Sequence, residues 1–174
     1  MNPTLKNGFL AGIISSILII GLHFLSFESS QSFSVQIGIS LVPIIFMVLA
    51  VRSEREMQEG FISFGEALKT SFLVFMIAAA ISSVAQFVLY QTFTDDTWAR
   101  IVEIQKENAI GLMEMAGADA VTMDEALNEE MTVDKIKASM SGIGSIALGL
   151  LGAAFIGIII SLIVSAIMKR NPTP

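Results

Sequence analysis

Apolar residues fall in four long blocks, and none of these blocks contains an Asp, Glu, Lys or Arg. They cover residues 8–27, 33–51, 70–93 and 143–168. At about 1.5 Å per residue, roughly 20 helical residues cross a hydrocarbon core about 30 Å thick. Every block is near or above that length. The last is longer than needed, which predicts a helix that tilts or extends into the interface. Unpaired backbone groups cannot face lipid, and none of the blocks alternates as barrel strands do. The pattern predicts an all-α integral membrane protein with four transmembrane helices, a single membrane domain over 1–174. Lys6 precedes the first block as it would in a secretory signal. The apolar stretch, however, exceeds the usual length of about 7–15 residues, and no A-x-A-like site follows. The block is therefore read as a retained span.

Polar residues between the blocks set the expected orientation. Lys6, Arg52, Arg55, Lys69, Lys169 and Arg170 lie on the side of the N-terminus, the second connection and the C-terminus. The longer polar stretches opposite carry only Arg100, Lys106, Lys135 and Lys137. Positive residues concentrate on the cytoplasmic side, so both termini are expected inside. Gly60 breaks the chain in the second connection, and Ser63 with Glu66 forms an S-x-x-E capping box for the third helix. Phe61, Ile62 and Phe64 beside that cap are expected to dip into the headgroup layer. A ligand-sensing re-entrant element is the alternative there. Pro43 is expected to kink the second span.

Residues 94–142 hold eleven acids against four bases. Trp98, Ile101, Gln105, Ala109, Leu112 and Ala116 recur at helical spacing, with Glu103, Lys106, Glu107 and Glu114 mostly off that stripe. Gly117 is a natural stop. A second helix is expected from Thr122, capped with Glu125. Thr132 to Lys135 offers a further cap or a break. The segment is thus predicted as an acidic helical hairpin between the third and fourth spans. An acidic surface invites the thought of cations, but no EF-hand loop is present. A solvated acidic face is the plainer reading, with loose divalent binding the alternative.

Within lipid, small residues let helix backbones approach. The fourth span carries Ser141, Ser145, Gly149, Ala153, Gly157, Ser161 and Ser165 at intervals of four. The third span carries Ala78, Ser82, Gln86 and Tyr90, and these two rows are expected to meet. The first span has Gly8, Gly12 and then Ser16, a second close-packing face. His23, Gln86 and Tyr90 are the polar intramembrane candidates. His23 sits a turn from the end of its span, where a side chain reaches the interface or bonds a neighbour; proton relay is the alternative. Gln86 reads first as glue between helices and second as part of a pathway.

Composition narrows the function classes. Hydrophobic residues make up 53% of the chain, mean hydropathy is +0.73, and charged residues are 15%. Soluble domains carry roughly 25% charged residues, so this balance suits spans rather than a soluble core. Absence of cysteine removes disulfides and thiolate metal sites. A single histidine leaves most triads and zinc sites without their residues. No H-E-x-x-H, G-x-S-x-G or P-loop occurs, and no cofactor is expected. Net charge is −6 with no Lys/Arg-rich run, so nucleic acid is not an expected partner. No charge lies in the middle of any block, which counts against ion- or proton-coupled transport.

Three features together resemble a bacterial family classed as domain of unknown function 4199. They are the stretch GFISFGEALK at residues 60–69, and the aromatic end of the third block from Phe87 through Tyr90 to Phe93. The third is the acidic helical segment before a Gly-rich last span ending in Lys169 and Arg170. Relatives often carry a proline after the third span, where this chain has Thr94, Asp95 and Asp96. The resemblance implies a four-helix membrane protein; it implies no activity and assigns no functional residue.

The expectation is a non-enzymatic protein of the bacterial inner membrane, acting by association as an accessory or regulatory subunit. Its expected partners are the lipid bilayer and either a second copy or another membrane protein. The alternative is a small-solute transporter or channel lined by Ser16, His23, Gln86 and Tyr90. Topology is checked by cysteine substitution, since no native thiol interferes. In intact cells Asp119→Cys should react with an impermeant maleimide, and Glu54→Cys only after permeabilisation. The reverse pattern would invert the orientation.

Overall fold

Each long apolar block becomes a helix whose start is set by residues at its edge. The computed structural model describes residues 2–115, 117, 127, 129 and 131–170. Helix α1 spans Pro3–Leu25, capped by Asn2, whose side chain accepts from the Thr4 N–H at 2.8 Å. Pro3 suits the first helical position, where its missing N–H costs nothing. Extended backbone at Ser26 (φ −157°) ends α1 two residues before the expected limit. The chain between the first two long helices then forms one short helix, α2, Phe27–Gln31. Helix α3 covers Phe33–Met57 behind a Ser32 cap and runs past its apolar block as a polar turn. There Arg52 and Glu56 pair at 3.0 Å on the exposed face.

The chain reverses at Glu59 and Gly60, with φ of 56° and 91°. Glycine takes that left-handed conformation without a Cβ penalty. The expected capping box follows. The Ser63 hydroxyl accepts from the Glu66 N–H at 3.3 Å, and the Glu66 carboxylate accepts from the Ser63 N–H at 3.1 Å. Helix α4 therefore begins early, at Phe64, and ends at Tyr90, so Phe93 lies in the turn beyond it. Helix α5 is Asp95–Met115, stopping just before Gly117, whose φ is 78°. The second hairpin helix expected from Thr122, its capping partner Glu125, and Ala116 all lie outside the described residues. Thr132 caps helix α6, Val133–Ser141, by accepting from the Lys135 N–H. Gly142 separates it from α7, Ile143–Met168.

Four of these helices, α1, α3, α4 and α7, are long and apolar enough to cross a membrane. One end of the bundle gathers the N-terminus, the α3–α4 turn and the end of α7; we call it the terminal end. The other holds α2, α5 and α6 and is the α5 end. Helix α4 is central, packing on α1, α3 and α7. Toward the terminal end the core is dense: Met47, Ala50 and Val51 of α3 meet Ala67 and Val74 of α4 and Val164 of α7. Ile62 joins this core at 1% exposure. Its backbone N–H and C=O exchange 3.0 Å hydrogen bonds with Arg170, pinning the end of α7 to the α3–α4 turn. Ile62 thus does not dip into the headgroup layer as expected. Pairing with Arg170 pulls it under the C-terminal strand of chain, while Phe61 and Phe64 stay exposed.

The α1–α4 seam explains two glycines. A Cβ on Gly8 would lie 2.9 Å from Ile77 Cβ, and one on Gly12 would lie 2.8 Å from Ile81 Cβ. Both contacts fall below any ordinary van der Waals distance, and each neighbour is branched close to its backbone. The helices run parallel and touch through these notches. By contrast a Cβ at Gly21 meets open space. Gly12→Ala should destabilise the protein by about 1–3 kcal/mol, the usual cost of overpacking. Gly21→Ala should be neutral or add up to about 1 kcal/mol of helix propensity. Thermal unfolding of the two variants in the same detergent checks the difference.

Candidate functional site at the α5 end

The small-residue row of α7 is used over only part of its length. Near the terminal end, Ser71 and Ser165 hydroxyls lie 3.4 Å apart, and Ser161 and Ser165 are fully buried. Gly157 receives the Phe75 ring; a Cβ there would sit 2.6 Å from Phe75 Cδ1. Nearer the α5 end the contact opens. Gly149 is exposed with nothing within 4 Å of an added Cβ, and Ala153 is half-buried. Ser145 turns back on its own chain, donating to the Gly142 and Met140 carbonyls. Residues four apart rotate by about 40° per step in a helix of about 3.6 residues per turn. Ser141 falls in α6, before the break at Gly142, and the six members left in α7 sweep about 200° and cannot keep to one face. The same drift corrects the expected pairing with α4. Ala78 and Ser82 turn away from the α7 row toward α1 and α3, and Gln86 lies at the boundary.

Toward the α5 end two cavities form, only the first of them where α4 and α7 part. One, of about 370 Å³, lies between α4, α6 and α7, with Ser83, Gln86 and Tyr90 facing Ser145 and Gly149. The other, of about 240 Å³, lies between α1, α3 and α4, lined by Ser15, Gln36, Ser40, Pro43, Ser82 and Gln86 among others. Gln86 lines both. Its side-chain oxygen accepts a long bond from the Tyr90 hydroxyl at 3.4 Å. No charged side chain lines either space. Ser16, the residue expected to line a path, is instead buried and donates to the Gly12 carbonyl at 2.7 Å. Its neighbour Ser15 takes the cavity wall. Both serines are buried, as are the pairs Asn7–Gly8 and Ala11–Gly12 before them on the same face of α1.

An aromatic cluster closes the α5 end. His23 stacks on Phe93 at 4.7 Å and 11°, with Phe24 and Phe27 edge-on to it. Phe93 meets Tyr90 at 5.4 Å and Trp98 at 5.3 Å, and Tyr90 meets Trp98 at 5.8 Å. Trp98 is 1% exposed, and with Ile101 and Val102 it seats α5 on the bundle. Val102 replaces the later members of the predicted stripe. Leu112 is 51% exposed because α5 has left the bundle by that point. His23 is half-buried, and its Nδ1 is buried without a partner. It serves as an aromatic plate.

Polar ties hold the cap at its rim. Arg100 pairs with Glu28 and lies 6.0 Å over the Phe27 ring. Lys137 Nζ donates to Asp95 at 2.8 Å, joining α6 to α5. That hydrogen bond and the lysine charge hold the Asp95 carboxyl below the usual aspartate range. Gln91 donates to the Ser141 carbonyl at 3.0 Å, and Asn108 to that of Gln31 at 3.4 Å. Among the described residues, no group of three or more His, Asp or Glu gathers to hold a metal.

An all-α chain with four such helices, notched together and capped at one end, has the make-up of a multi-pass membrane protein. More particularly, residues 6–170 match the family described as protein of unknown function DUF4199, and the chain belongs to that family. No curated protein and no solved structure matches it.

Trp98 is the only tryptophan, so its fluorescence reports on the cap. Emission should be blue-shifted in the folded protein. Phe93→Ala should move it to the red and weaken the cap, by about 1–3 kcal/mol, less than for a fully buried ring because Phe93 is half-buried. Unchanged emission in that variant would mean that Trp98 is held by other contacts.

Proposed function

We propose that this is a non-enzymatic protein of the bacterial inner membrane that acts by association, as an accessory or regulatory subunit. Both termini face the cytoplasm, where the denser positive charge lies. The acidic helical hairpin of residues 94–142 faces the other side and offers a solvated surface to partners. One observation carries the reading: the part of α7 around Gly149 presents small residues that its own chain leaves uncovered. In lipid, close backbone approach at such residues is what favours helix association. A helix from a second copy or from another membrane protein fits that face.

Small-solute passage is the second reading, favoured by the two cavities that share Gln86. Against it stands the dense terminal half, where Met47, Val51, Ser71 and Ser165 are fully buried. His23 also lies outside both cavities, beside Phe27 and Arg100.

The cysteine-free background makes the test direct. Gly149→Cys at native expression should form an oxidant-dependent covalent adduct in membranes, with itself or with a second protein. Phe155→Cys, on the exposed lipid face, should give little. A chain that stays monomeric at Gly149→Cys, under oxidation and with bifunctional crosslinkers, removes the association reading.

A further inference from the structure

The 240 Å³ cavity between α1, α3 and α4 is walled mostly by apolar groups, among them Ile19, Ile39 and Phe75, but polar side chains interrupt that wall. An empty defect among apolar helices would be lined by apolar atoms. This one also carries Ser15, Ser82 and Gln86, with Gln36 and Ser40 at its edge donating to the Ser30 and Ile37 carbonyls. Ser15 is 5% exposed, and its Oγ is buried with no hydrogen-bond partner. A buried hydroxyl without a partner costs on the order of 1–3 kcal/mol, so it calls for one. Pro43 adds an acceptor. It has no N–H to give the Ile39 carbonyl one turn back, and both residues border the cavity. Gln86 uses its oxygen for Tyr90, which leaves its amide N–H groups to donate.

The geometry points to a binding site here for a compact, uncharged hydroxyl- or amide-bearing group, such as a glycerol moiety. Neutrality follows from the walls: no Lys, Arg, Asp or Glu lines the space, and a charge at that depth would go unpaired. Size follows from the volume. One water needs on the order of 10–15 Å³ of such space, so a group of several heavy atoms fits. Ser15 on α1, Ile39 on α3 and Gln86 on α4 bring a hydroxyl, a backbone carbonyl and a carboxamide to the three helices that border the space. Exposure of Gln36 and Ser40 at the edge gives a way in from the bundle's side. The site ends at the dense core and requires no passage across the membrane. It also stands independently of the association reading.

A glycerol group reaches this depth either as free glycerol or as the headgroup of an uncharged lipid. Both are tested with full-length protein in nanodiscs of phosphatidylethanolamine and phosphatidylglycerol. Glycerol and dioctanoylglycerol are titrated separately, and the thermal midpoint is followed. Saturable stabilisation by glycerol identifies the free solute; stabilisation by dioctanoylglycerol alone identifies the lipid headgroup. In either case Ser15→Val and Gln86→Leu should weaken binding about tenfold or more, the effect of a lost buried hydrogen bond. Phe155→Ala should leave it unchanged. Where Gln86→Leu does not fold, Ser40→Val at the cavity's edge replaces it. The proposal is overturned if neither probe stabilises saturably, or if the variants bind as the wild type does. It is also overturned if dioctanoylphosphatidic acid competes as well as the neutral probe.

Discussion

Close approach of helix backbones is the interaction on which this structure turns. In water, apolar helices gather because burial removes hydrocarbon from solvent. In lipid that force between helices is lost, and packing, hydrogen bonds and small residues must replace it. The Gly8 and Gly12 notches let Ile77 and Ile81 of α4 reach the α1 backbone. Gly157 does the same for Phe75 on the other side of α4. With α4 held from both sides, α3 closes the terminal half through Met47, Ala50 and Val51. The Ile62–Arg170 pairing then fixes the two chain segments that emerge there.

From that seam follows the asymmetry between the two ends. Helices notched together near one end separate toward the other, as the small-residue row of α7 rotates out of register. The space that opens is not filled with large apolar side chains. Serines and glutamines are set among its mostly apolar walls, and Gln86 lines two cavities. Above them the chain supplies a separate closure. His23, Tyr90, Phe93 and Trp98 interlock as rings, so a helix outside the spans is anchored by aromatic contact with them. Aromatic side chains with a polar edge suit this depth, where one face is apolar and the other wet.

Several elements were legible in the residues because they are local. Uncharged blocks mark the spans, since length and charge alone decide whether a helix suits lipid. The Ser63–Glu66 box, the Thr132 cap and the stop at Gly117 needed only neighbours three or four residues away. Gly8 and Gly12 were recognisable as a packing face, though not the isoleucines that fill it. The sequence misjudged what depends on angle accumulated over distance. A repeat of four looks like one face on paper, yet its drift carries Ser145 and Gly149 away from the contact that buries Ser161 and Ser165. Ser16 was read as lining a path because the residues alone do not show where its hydroxyl bonds, and Ile62 was placed in the headgroup layer because its partner, Arg170, is more than a hundred residues away.

By itself the chain's pattern of apolar and charged residues determined four membrane-suited helices, the cap of the third and the crowded glycines of the first. These rest on single-helix properties, namely length, spacing and side-chain size. Which serines line a cavity, where the spans part, and how Trp98 seats α5 were decided only by the assembled bundle. Those outcomes depend on the relative rotation of α1, α3, α4 and α7. That rotation is set by contacts between residues far apart in the chain, and no local pattern records it.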